Sequence, residues 1–274
     1  MRTTTRTDVL DDAVIGAAAF LAGGANVIMQ LSWPEVGYGV VESRVDSGNL
    51  FKRPMKRTRT TLSYLAVAAL GSEADKAAFR RGVNKAHAQV RSTDASPVRY
   101  NAFDKDLQLW VAACIYKGFE DSYRLLVGVP DRALAEEFYR ASATFGTTLQ
   151  VPAEQWPSDL DAFEKYWRDG LKRVSIDDTV REHLTAIAEL RFQPKPLSVL
   201  FGPFVRFVTI GFLPPEFREQ MRFSWSSRQQ RRFDRLMAVI GAVVRQSPRP
   251  VRQFPFNFYL WDVRMRIRTG RPIV

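Results

Sequence analysis

Apolar side chains recur three and four positions apart in one segment of this chain after another, and nowhere do they alternate with polar ones over the length of a strand. The first period lines one face of a helix and the second one face of a sheet, so the pattern predicts an all-α fold. From Lys56, the residues Leu62, Leu65, Ala69 and Leu70 mark a helix that Gly71-Ser72 stops. Glu73–Val90 carries Phe79, Val83, His87 and Val90 on one stripe. Asp104–Leu126, Asp131–Phe145, Leu160–Val174 and Asp177–Leu190 read the same way, with Asp177 or Asp178 as the N-cap of the last. Ser227–Val244 is one more amphipathic helix, and Asp262–Arg268 a short one.

The stretch Ala13–Met29 carries no charge, but Gly16, Gly23, Gly24 and Asn26 interrupt it. It is too short for a comfortable membrane span and predicts a buried helix broken near Gly23-Gly24, where paired glycines let another group approach the backbone. Ser32-Trp33-Pro34 ends that element, and Glu35–Lys52 reads as a turn-rich connection. After Phe192, Pro194, Pro196, Pro203, Pro214 and Pro215 predict short pieces, followed by Pro248, Pro250, Pro255 and the aromatic run Phe254–Trp261. The expectation is a single domain over 1–274, with a helical core over about 13–190 and a Pro-rich, basic helical extension over about 191–274.

Composition narrows the chemistry. One cysteine, Cys114, excludes an intrachain disulfide and any Cys-cluster metal site. Two histidines, His87 and His183, exclude a three-His zinc centre, and no GxSxG elbow is present. The net charge is +11, and Arg218–Val274 holds ten of those charges, thirteen arginines against Glu219, Asp234 and Asp262. Such a region attracts phosphate; with no nucleic-acid motif in the chain, a peripheral contact with an anionic membrane is the favoured reading over nucleic acid. A solvated basic face is the alternative. The polar start Met1–Asp12 is expected to fray and lacks the apolar core and cleavage site of a signal peptide, so a cytoplasmic location is expected, peripheral to a membrane in the alternative reading.

The spacing Val83-x-x-x-His87-x-x-Val90 points the His87 imidazole at the apolar side of its helix. Three fates stay open for it: a neutral core histidine, a general base, or an axial ligand to haem iron. His183 lies beside Arg181 and Glu182 at the edge of the stripe Val180, Leu184 and Ile187, and reads as a boundary residue.

Several pieces occur in a recognisable order. They are Gly23-Gly24-Ala25-Asn26-Val27-Ile28-Met29-Gln30-Leu31, Arg57-x-x-x-Thr61, His87-Ala88-x-Val90-Arg91, Tyr100-Asn101-Ala102-Phe103-Asp104, Leu109-Trp110-Val111, Phe145-Gly146-x-x-Leu149-x-Val151-Pro152 and Phe163-Glu164-x-Tyr166. Together they resemble the MpaB/latex-clearing-protein oxygenase family over about Ala13–Gly170, and more loosely beyond.

The resemblance implies a globin-like helical core around a b-type haem, with His87 as proximal iron ligand and Arg57 and Thr61 near the cofactor. It implies dioxygen and a small apolar, isoprenoid-like or lipid substrate. Gly23, Gly24 and Trp110 would wall the pocket, and Glu42, upstream of the Arg-Thr motif, is a candidate acid/base. Many relatives carry Ala-His-Pro and Trp-Val-His-Ala where this chain has Ser32-Trp33-Pro34 and Trp110-Val111-Ala112-Ala113. A lysine that rubber oxygenases place before the threonine is here Thr60. A non-catalytic haem carrier or sensor is therefore the alternative function.

Overall fold

The computed structural model describes residues 14–274. Among them there is no β-strand, only an isolated antiparallel bridge between Arg91 and Asn101, and the all-α expectation holds. The expected fraying of Met1–Asp12 lies outside the described residues.

The uncharged N-terminal stretch forms α1 (Gly16–Leu21) and α2 (Gly23–Gln30), which part at Ala22, beside the predicted glycine pair. Pro34 then opens a helix that the sequence did not predict, α3 (Pro34–Val41). A first-turn proline has no N–H to waste and a φ already suited to a helix. The glycines that suggested turns serve close contacts instead. A Cβ on Gly37 would stand 2.8 Å from the Leu31 carbonyl, and one on Gly39 would reach the Tyr100 ring at 3.5 Å.

The predicted helices follow as α4 (Pro54–Leu70), α5 (Glu73–His87), α6 (Lys105–Leu126), α7 (Arg132–Ser142), α9 (Leu160–Leu171) and α10 (Asp178–Ala188), with the single turn α8 (Thr144–Thr147) splitting off the end of the one helix expected over Asp131–Phe145. Short polar side chains set the starts of all but α4, which opens on Pro54, and α8. Asp104, Asp131, Asp159 and Asp177 accept bonds from first-turn N–H groups, and Ser72 shares a capping box with Asp75.

The region after Phe192 departs most from expectation. In place of short pieces it holds the eighteen-residue α11 (Lys195–Phe212). Pro196 sits in its first turn, and Pro203 lies in its exposed half, where water can serve the carbonyl left without a donor. Then come α12 (Pro215–Gln220), α13 (Ser227–Gln246), the single turn α14 (Arg249–Arg252) and α15 (Phe256–Arg268), so the aromatic run is itself helical.

At the centre, α2 packs on α6, α10 and α11. Asn26 donates to the Cys114 carbonyl at 2.6 Å, and α6 can come that close because Gly118 has no side chain: a Cβ there would be 2.2 Å from Asn26 Nδ2. The segment expected as an extension folds back on the rest. α11 lies on α2, α13 on α6, and α15 on α4, the most extensive helix pair in the molecule.

The tail beyond α15 ties down the same region. Arg59 of α4 donates to the Ile273 carbonyl at 3.0 Å, Arg266 to the Pro272 carbonyl at 3.1 Å, and Val274 packs over Gly82 of α5. Arg264 reaches Asp75, at the start of α5, through two nitrogens at 3.1 and 3.0 Å.

Candidate functional site

Arg57 and Thr61 are one turn apart on α4, and His87 is the last residue of α5. The Thr61 hydroxyl donates to the Arg57 carbonyl at 3.0 Å, a back-bond that holds the hydroxyl against its own helix and leaves its lone pairs free. Thr60 does the same with the Lys56 carbonyl at 3.0 Å. The edge of the His87 ring meets Phe103, with centroids 6.1 Å apart.

His87 and Arg57 face one another electrostatically. Burial first, and then the Arg57 charge, press the His87 pKa down to about 4, so the imidazole is neutral at physiological pH. Burial also lowers the Arg57 pKa. Among the described residues no carboxylate pairs with Arg57, and His87 Nδ1 is buried without a hydrogen-bond partner. Both side chains nevertheless keep part of their surface accessible.

Glu42 takes an anchoring place. At the C-terminal end of α3 its Oε2 accepts from Ser96 Oγ and from the Tyr100 hydroxyl, both at 2.7 Å. The loop it holds is closed by Ser92 N–H donating to the Tyr100 carbonyl and Ala102 N–H to the Val90 carbonyl. That loop carries Phe103 onto His87. Glu42 is thereby tied to the loop that meets His87.

Trp110 stands in the core. Its indole lies between Trp33 (centroids 4.6 Å, planes 8° apart) and Trp167 (5.0 Å, 16°), and Arg173 caps the far face of the stack at 3.5 Å from the Trp33 ring. Trp110 Nε1 donates to the Met29 carbonyl at 3.2 Å, and Gly170 leaves room for its edge. Both faces of the Trp110 ring are covered within this stack. Gly24 lies close against α11, since a Cβ there would be 2.5 Å from Thr209 Oγ1. Gly23 faces open space. His183 packs its ring against Phe51 at 5.1 Å, a boundary residue as expected.

The sequence did not reveal that Phe103 meets His87, or that Ser96 and Tyr100 bond Glu42. Phe103, Ser96 and Tyr100 come from a loop whose path is set by long-range bonds to α3. Among the described residues no three His, Cys, Asp or Glu side chains gather as a metal cage. A porphyrin iron, which brings four ligands of its own, asks only one of the protein.

The fold is all-helical, and Arg57, Thr61 and His87 stand on two consecutive helices. The chain belongs to the family described as "ER-bound oxygenase mpaB/B'/Rubber oxygenase, catalytic domain", which matches residues 13–242. Its curated relatives include uncharacterized proteins of Mycobacterium bovis and Mycobacterium tuberculosis. Each is 52% identical over 254 residues, covering 93% of this chain and 100% of the relative. No solved structure matches the chain.

Proposed function

We propose that this protein is a haem b-dependent oxygenase acting on a small apolar, isoprenoid-like or lipid substrate, with His87 as the proximal iron ligand. One observation carries the reading: a buried imidazole nitrogen without a partner lies within electrostatic reach of a desolvated arginine that pairs with no carboxylate among the described residues. A buried polar atom is ordinarily satisfied, and a desolvated cation ordinarily has an anion; haem would meet both needs, with His87 holding its iron and Arg57 pairing with its propionates.

Low basicity suits His87 to this role, because a ligating imidazole must be neutral. Arg57 would hold the cofactor by a charge-assisted bond, and the free lone pairs of Thr61 would receive a polar group near the cofactor. Bound haem would supply the redox-active iron at which dioxygen is activated. Glu42, Tyr100 and Ser96 fix the loop that sets the His87 ring against Phe103. The pocket would lie where α4 meets the end of α5, roofed by that loop.

A pyridine haemochrome assay on protein expressed with excess haem precursor tests the reading. About one non-covalent b-type haem per chain is expected, since the sequence has no Cys-x-x-Cys-His attachment motif. Protein that stays colourless and takes up no added hemin would overturn it. Dioxygen consumption with an isoprenoid panel separates an oxygenase from a carrier with the same pocket.

A further inference from the structure

The first half of α11 is held to the protein along one line only. Ser198 Oγ donates to the Glu189 carbonyl at 3.0 Å, and a Cβ on Gly202 would stand 2.7 Å from that same carbonyl. Every other direction is apolar and open: Leu197 is 44% exposed, Val199 77%, Leu200 69%, Phe201 48% and Phe204 49%. Pro196 to Val205 carries no charge.

At a rotation of about 100° per residue, Leu197, Leu200, Phe201 and Phe204 share one face and Val199 points to the other side. A helix docked on a protein or on a second copy of itself needs one apolar face. Apolar residues on opposite sides suit a surrounding that is apolar all round.

Cations frame the tip. Lys195 opens the helix and Arg206 follows the uncharged run; Glu189, the nearby acid, is shared between Arg191 and Arg206. On the neighbouring α13, Arg228, Arg231, Arg232 and Arg235 are exposed around the buried Phe233, whose ring meets that of Phe207, one turn past Phe204. The apolar tip thus adjoins a strongly cationic surface.

We infer that the first half of α11 is a membrane anchor that inserts into the outer part of an anionic lipid bilayer, with the α13 arginines on the headgroups. It enters one leaflet and does not cross. Val208–Phe212 are buried in the protein, which leaves thirteen of the eighteen residues, or about 20 Å of helix, against a hydrocarbon thickness of about 30 Å. Apolar burial and charge act together in such a contact, and salt weakens only the second.

The inference stands apart from the haem reading and is tested without it. Co-sedimentation compares the full chain with vesicles of equimolar phosphatidylglycerol and phosphatidylcholine and with vesicles of phosphatidylcholine alone. Wild type should partition to the anionic vesicles preferentially and keep part of that binding at high salt. The variant Leu200→Gln/Phe204→Gln, changed only at exposed positions, should lose about tenfold or more in partition coefficient while its far-UV circular dichroism and melting are unchanged. Val199→Gln, on the opposite side, should weaken binding as well. Undiminished vesicle binding by these variants would overturn the inference, as would wild-type protein that sediments with neither vesicle. So would a stable dimer by light scattering that the double variant converts to monomer, because the tip would then be covered by a second copy.

Discussion

His87 concentrates the tests available at single residues. His87→Ala should abolish the histidine-ligated haem spectrum, and His183→Ala should leave most of it, because only His87 combines an unsatisfied buried nitrogen with a cationic neighbour; absorption spectra of the two purified variants decide. If His183→Ala alone loses that spectrum, the proximal assignment is wrong. The same residue sets a pH dependence in the cofactor-free protein. Its folded pKa, about 4, is below the usual 6.5, so the unfolded chain takes up a proton first as pH falls. The neutral histidine's contribution is intact above pH 6.5 and is lost between there and pH 4. Asp121, whose carboxyl burial raises to about 6, has the opposite sign in much of that window. The readout is therefore a difference: urea stability of His87→Gln should fall less than that of wild type between pH 7 and 4, by up to about 3 kcal/mol. Equal slopes would mean that His87 titrates normally. Glu42→Gln tests the loop. The amide should keep part of the clamp and Glu42→Ala should not, so hemin dissociation should speed up in the order wild type, Gln, Ala. A collapse of turnover in Glu42→Gln with hemin dissociation unchanged would assign it the acid/base role instead.

Helix by helix, what could be read from the sequence depended on whether the signal was local. α4 to α7, α9 and α10 were legible because their apolar stripes and, in all but α4, their polar caps lie within the segments themselves. α3 and α11 were not. Gly37 and Gly39 look like turn residues until Leu31 and Tyr100 are seen beside them, and Pro196 and Pro203 look like breaks until one is found in a first turn and the other on an exposed side. Of the motif residues, Arg57 lies within electrostatic reach of His87 and Thr61 bonds back to the Arg57 carbonyl. Trp110 and Gly24 belong to the same motifs, and their close contacts with Trp33, Trp167 and Thr209 are long-range ones that the motif order does not reveal. The α2–α6 contact gives a direct test of such scaffolding. Gly118→Ala would drive a methyl into Asn26 and break its bond to the Cys114 carbonyl, and should cost about 2 kcal/mol, or roughly 4–8 °C in Tm by circular dichroism. An unchanged melt would show that α2 slides away without penalty.

The whole molecule closes on α4 and α5, and the parts that close it lie beyond the family match, which ends at residue 242. Arg59 links α4 to Asp262 at 3.6 Å and to the Ile273 carbonyl, while Val274 covers Gly82 of the His87 helix. Removing residues 269–274, or making Arg59→Gln, should loosen both helices at once: a lower Tm and faster hemin transfer to apomyoglobin, with the haem spectrum itself unchanged. A melt that falls while hemin transfer stays at the wild-type rate would separate the clamp from the site. The same pairing carries a consequence for synthesis. Pro54 emerges from the ribosome long before Phe256, so the inner face of α4 has to wait for α15 to be made. At about 5–20 residues per second that wait is on the order of ten to forty seconds. For that time the nascent chain presents an uncovered apolar face to chaperones and to other chains, and the α4–α5 pair can be locked in place only after the C-terminal helices have been translated.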